Sequence, residues 1–134
     1  MEKDILEITF GENKRVNAHI NGHVIPTDQP LDNGGDNSAP SPFDLFLASI
    51  GTCAGIYVKS FCDKREIPTT GISLFQEAIY NESTGLPDQI NIEVRLPEDF
   101  PARYHDPVIN AASLCKVKRT FIKAPEFGIS ISAK

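Results

Sequence analysis

Ser41–Arg65, SPFDLFLASIGTCAGIYVKSFCDKR, carries the strongest structural signal in the chain. It opens on a helix start. Ser41 suits the N-cap and Pro42 the first helical position, and Asp44 stands three residues after the cap, where its carboxylate can return to the cap's own N–H. Phe43–Val58 then runs almost continuously apolar, broken by Asp44, by small residues and by one thiol, Cys53. A surface helix shows one apolar stripe, whereas this segment is apolar around its circumference, which predicts a long central helix buried on all sides. Polar residues return at Lys59, Ser60, Asp63, Lys64 and Arg65, and the helix is expected to end at Arg65–Ile67, ahead of Pro68.

Working outward, the N-terminal flank reads as strands. Ile5, Leu6, Ile8 and Phe10 lie among polar residues in Glu2–Phe10, and Arg15–Ile20 alternates Val16, Ala18 and Ile20 with Arg15, Asn17 and His19. Asn21-Gly22 is a two-residue hairpin turn leading into a short strand, His23–Pro26. Thr27–Pro40 has the Gly, Asn, Asp and Pro content of a loop, and its length is that of loops that carry function or cover a site. Beyond the helix, Thr69–Asn81 and Asp88–Leu96 read as a hairpin pair, the second with Ile90, Ile92, Val94 and Leu96 on one face. A second helix is expected from about Ala102 to Leu114, regular only from Asp106 or Pro107. A further turn or two follows through Ile122, and a last strand is expected at Gly128–Ala133. The order βββ-α-ββ-α-β is an α+β fold with antiparallel sheets packed on the central helix. Without a repeat or linker, residues 1–134 are expected to form one domain.

Composition narrows the function. A net charge of −5 argues against a nucleic-acid backbone or an anionic membrane as partner. The densest basic run, Lys116, Lys118, Arg119 and Lys123, is short. The start, MEKDILEITF, carries acids and no long apolar run, which predicts no signal peptide and a cytoplasmic protein. About 16 apolar residues in the central helix are too few to span a bilayer. In a reducing compartment Cys53, Cys62 and Cys115 do not form a structural disulfide set. His19, His23 and His105 have no ligand spacing, and neither a metal nor a cofactor is expected.

The thiols are the candidate chemistry. Cys53 lies some twelve residues into its helix, beyond the reach of the N-terminal dipole, so any activation must come from a neighbouring cation or donor. Arg15 on the second strand is the candidate cation, and a solvated strand residue is its other reading. Cys62, nine residues on, is turned by about 900° to the opposite face and reads as a buried small hydrophobe. Asp44 points away from Cys53 by the same arithmetic. Tyr57, four residues after Cys53, shares its face. Sequence alone does not bring Cys115 to Cys53.

GGDNSAPSPFDLFLASIGTC, then AGIYVKSFCDKREI, then AASLCKVKRTF, resemble the OsmC/Ohr family over nearly the whole chain. The specific parts are the SP-x-D-L-x-L-A-x-x-G-x-C helix and a second cysteine before V-x-R. The resemblance implies an intertwined homodimer with sites at the subunit interface. It implies that Cys53 attacks an organic hydroperoxide and becomes a sulfenic acid, that Cys115 condenses with it to a disulfide, and that a dithiol such as a dihydrolipoyl protein reduces it. Peroxidatic members keep a Glu ten residues before the first thiol. Here Phe43 takes that position, with Asp44 one residue later. That departure motivates a second reading, a dimeric small-molecule-binding or thiol protein of the same fold without peroxidase turnover.

Overall fold

The computed structural model of the chain describes residues 2–132. The chain falls into two compact units, Met1–Ala48 and Ser49–Lys134, with the division inside the long helix.

The first unit is built on an antiparallel sheet of β1 (Glu7–Phe10), β2 (Val16–Ile20) and β3 (His23–Thr27), in that order. The β2–β3 turn is the expected Asn-Gly pair. Both residues have positive φ, 50° and 79°, which a turn following the strand twist requires. Ile20 therefore faces His23, and Val16 faces Thr27. His19 lies opposite Val24 and its Nε2 meets the Thr9 hydroxyl at 2.9 Å.

The loop after β3 is knotted rather than loose. Asp28 is fully buried. Its carboxylate accepts from the Gln29 N–H at 2.7 Å, the Ser38 N–H at 3.0 Å and the Ser38 hydroxyl at 2.6 Å. These bonds hold its pKa down from 3.8 to about 2, the Ser38 hydroxyl contributing most. Gly35 passes so close to Gln29 that an added Cβ would sit 2.0 Å from the Gln29 carbonyl oxygen.

The long helix, α1 (Pro42–Lys64), starts as the sequence predicts. The Asp44 N–H donates to Ser41 Oγ at 3.2 Å and the Ser41 N–H donates to Asp44 Oδ2 at 3.3 Å, a reciprocal capping box. It ends with Glu66 at φ 56° and the Ile67 N–H returning to the Cys62 carbonyl at 2.9 Å, a Schellman-type stop.

Burial on all sides is not what this helix has. Its buried residues, Ile50, Ala54, Val58, Phe61 and Cys62, form one stripe, while Ile56 is 54% exposed. Among the described residues the chain packs against the Cys62 side and the Cys53 side of the helix and leaves Ile56 between them largely uncovered. Length is a second correction. At 23 residues, with a mean hydropathy of 1.5 over its apolar window, α1 is long and apolar enough to cross a bilayer by length and composition. Core helices satisfy the same test, and the buried stripe is that of a core helix.

In the second unit β4 (Ser73–Tyr80) and β5 (Pro87–Arg95) form an antiparallel hairpin. Leu74 and Ala78 on β4, and Ile90, Ile92 and Val94 on β5, are half-buried while their neighbours are exposed. Two helices follow, α2 (His105–Ser113) and α3 (Lys116–Ile122). The core joins Val58, Phe61 and Cys62 of α1 to Phe100 and Val108, with Leu74, Leu96, Ala111 and Ala112 packed around them.

Among the described residues the architecture is mixed α+β, with small antiparallel sheets and three α-helices. The last expected strand differs. Residues 128–132 have no regular structure, Ile129 and Ile131 are fully exposed, and Ala133 lies outside the described residues. Alternation lets a segment become a strand, but the strand forms only when its backbone meets a free edge. Among the described residues no strand pairs with this segment.

Candidate active site

Cys53 and Cys115 both belong to the second unit, and the fold brings them together. Cys53 is half-buried on α1, four residues from Tyr57 and on the face opposite Cys62. Cys115 is buried in the junction between α2 and α3. There its sulfur caps α3 by accepting from the Lys118 N–H at 3.4 Å, and its thiol is directed at the Ile50 carbonyl, 3.9 Å away. All three cysteines are free thiols.

The surroundings of Cys53 favour its thiolate. The backbone N–H of Val117 lowers its pKa most, burial opposes this, and the Cys115 side chain, the Lys116 N–H and the Arg119 charge add to the lowering. These donors and the charge all come from the segment beginning at Cys115. The stabilisation that α1's own N-terminus is too distant to provide is delivered by the start of another helix. Cys62 meets the reverse. Burial first, and then the Asp63 charge, push its thiol up.

Arg119 is the functional side chain that sequence reasoning did not single out. Its Nη2 donates to the Tyr57 hydroxyl at 3.3 Å. The sequence held one signal for it: Tyr57 stands four residues after Cys53, and Arg119 four after Cys115, one helical turn in each case. Arg15 is engaged within the first unit, where its Nε donates to Ser38 Oγ at 3.1 Å and its Nη2 lies 3.2 Å from Asp36 Oδ2. The cation whose charge lowers Cys53 is Arg119. Asp44 is occupied by the capping box.

Beside Cys115 lies a cavity of about 530 Å³. Ile50 and Ala54 of α1, Ile92 and Val94 of β5 and Phe121 of α3 wall it, and Cys115 and Lys118 stand in its lining. Such a cavity suits an apolar body with a reactive or polar end near the sulfur. Among the described residues no cluster of His, Cys, Asp and Glu has the grouping to hold a metal.

Residues 35–130 match the model of the OsmC-like protein family. The chain belongs to that family. The match covers α1, both thiols and Arg119. Comparison with curated proteins gives no match.

Solved structures share the OsmC-like fold. One is a protein from Psychrobacter arcticus 273-4 described as an osmotic stress induced and detoxification response protein. It has a TM-score of 0.72 at 21% identity, over 86% of this chain and 85% of that one. An OsmC-like protein from Mycoplasma pneumoniae gives 0.69 at 11% identity, over 92% and 89%. The organic hydroperoxide resistance protein OsmC from Legionella pneumophila gives 0.56 at 16% identity, over 90% of each. These likenesses show the fold of this OsmC-like chain.

Proposed function

We propose that this OsmC-like chain reduces organic hydroperoxides with a thiol pair, Cys53 as the attacking and Cys115 as the resolving cysteine. The observation that carries the reading is a thiol whose pKa is lowered by N–H groups and a guanidinium, with the side chain of a second thiol, Cys115, among the groups that lower it. The Cys53 thiolate attacks the distal peroxide oxygen and the O–O bond breaks. The alkoxide leaves as alcohol after taking a proton, and Cys53 becomes a sulfenic acid. Cys115 then attacks the Cys53 sulfur, water leaves, and a disulfide forms. A dithiol reductant, such as a dihydrolipoyl protein, exchanges with that disulfide and restores both thiols. The apolar cavity supports an organic rather than an inorganic peroxide, since its walls reward burial of an alkyl group. The Legionella relative's description as a hydroperoxide resistance protein points the same way.

A homodimer belongs to this reading. Its support is the apolar surface a single chain leaves uncovered, Ile56 on α1 and the fully exposed Ile129 and Ile131. The cytoplasm, where dithiol reductants keep such a cycle running, is the compartment we assign to it.

Phe43, at the position of the acid in peroxidatic members, favours a second reading, a thiol or small-molecule-binding dimer without turnover. One experiment separates the two. Consumption of an alkyl hydroperoxide is followed with dihydrolipoamide as reductant, for the wild type and Cys53→Ser. Turnover that disappears in Cys53→Ser supports the peroxidase. Equal rates in the two chains, or none in either, leave the second reading.

A further inference from the structure

Arg119 is exposed, and a long guanidinium side chain at the surface has many rotamers, few of which bring its charge to a given atom. In this chain it has a tether. Its Nη2 donates to the Tyr57 hydroxyl at 3.3 Å, a bond between the turn after Cys53 on α1 and the turn after Cys115 on α3. Tyrosine suits that duty. Its ring has two torsions and is half-buried on a helix of 23 residues, so it offers a fixed acceptor.

The acceptor's charge decides what the tether does at the sulfur. A carboxylate partner would hold the guanidinium but cancel much of its field, whereas a neutral hydroxyl holds it and leaves the positive charge uncompensated. Arg15 illustrates the alternative, with Asp36 at 3.2 Å offsetting its charge.

We propose that Tyr57 is a positioning residue for the thiol site: its hydroxyl fixes the Arg119 guanidinium where its charge favours the Cys53 thiolate. The inference rests on Cys53 being the reacting thiol. The Cys115 side chain, the Lys116 N–H and the Arg119 charge act on the Cys53 thiol, Tyr57 shares its face of α1, and Lys118 of α3 stands in the cavity lining beside Cys115. β5 adds Glu93 in the cavity lining, ion-paired with Arg95. Arg119 is the one among them that both lowers the Cys53 pKa by its charge and has a side-chain tether on α1.

The test is peptide-resolved alkylation of Cys53 in the reduced full-length chain, from about pH 5 to 10, a range that brackets the ordinary thiol pKa. Tyr57→Phe keeps the ring and its packing and removes only the acceptor. It is expected to move the Cys53 inflection upward and to slow alkylation below the inflection about threefold, half a pKa unit. Arg119→Met is expected to move it further, and Arg119→Lys to fall between that variant and the wild type. In the Arg119→Met background, Tyr57→Phe should add nothing. An unmoved inflection in Tyr57→Phe overturns the proposal, as does an equal shift with and without Arg119. Hydroperoxide turnover measured on the same samples keeps the two readings apart. A Tyr57 effect that depends on Arg119, in a chain that turns over no peroxide, upholds this inference and rejects the peroxidase.

Discussion

Cys53 and Cys62 lie nine residues apart on one helix and meet opposite surroundings. Cys53 faces the start of α3, whose N–H groups and Arg119 pull its pKa down. Cys62 faces the core, fully buried among Val58, Phe61, Phe100 and Val108, and burial pushes its thiol up. The two thiols share covalent chemistry and secondary structure. What separates them is half a turn of helix phase and what the rest of the chain packs against each face. A cysteine's reactivity is therefore a property of the tertiary contact, and its position along a helix only sets which contact it receives.

Exchange of sulfur for oxygen should separate the two thiols most. Cys53→Ser should lose hydroperoxide turnover by more than about 100-fold while unfolding near the wild-type midpoint, because a serine hydroxyl stays protonated at neutral pH. Cys62→Ser should do the reverse. It should keep turnover but lose about 1–3 kcal/mol of stability, as a hydroxyl enters an apolar core without a partner. Urea titrations and peroxide assays on both variants check this pair. If Cys62→Ser lost turnover at unchanged stability, the division between the two thiols would fail.

Cys115→Ser sharpens the first half of the comparison. One equivalent of peroxide should still be consumed, but the oxidised Cys53 should persist as a sulfenic acid, seen as a dimedone adduct by mass spectrometry. A second equivalent consumed at the wild-type rate would remove Cys115 from the resolving role.

The titration of the two thiols gives a smaller effect. Reactivity follows the thiolate fraction, so with its pKa lowered Cys53 should alkylate at a pH below that of a free cysteine. Cys62, with its pKa raised, should react only above that range or on unfolding. Coincident profiles for the two would contradict the environments described.

The smallest effect lies away from both thiols, at Asp28. Its folded pKa, about 2, is below the ordinary value of 3.8. Its contribution to stability is therefore complete above the unfolded pKa and is lost as pH falls through the folded one. Asp28→Asn should flatten the acid limb of the stability curve between about pH 4 and 2, leaving Cys53 alkylation unchanged. The wild-type and variant acid-unfolding curves measure it.

How far the fold could be read from sequence followed the range of the interaction. The Ser41–Asp44 capping box, the Asn21-Gly22 turn, the alternation of β5 and the stop after Arg65 each depend on residues a few positions apart, and each stands where the sequence puts it. The burial of α1 was misread because an all-apolar circumference states only that every face can be buried. The strand expected at 128–133 was misread for the same reason, since alternation does not supply an edge. Arg119 stood in a basic run and one turn after Cys115, but nothing local marks which of four cations will meet a tyrosine on another helix.

By itself, the sequence determined the long capped helix, the two hairpins, the phase that sets Cys53 and Cys62 on opposite faces, and the family to which the chain belongs. The elements and the helix phase follow from local backbone preferences and from periodicity, which short stretches carry in full, whereas the family rests on the motifs around Cys53 and Cys115. Only the tertiary structure decided that Cys115 meets Cys53, that the first N–H groups of α3 and the Arg119 charge reach that sulfur, and that Tyr57 holds Arg119. Those contacts join residues more than sixty positions apart. The free energy that brings them together is the burial of the core between α1, α2 and the β4–β5 hairpin, which no one segment encodes.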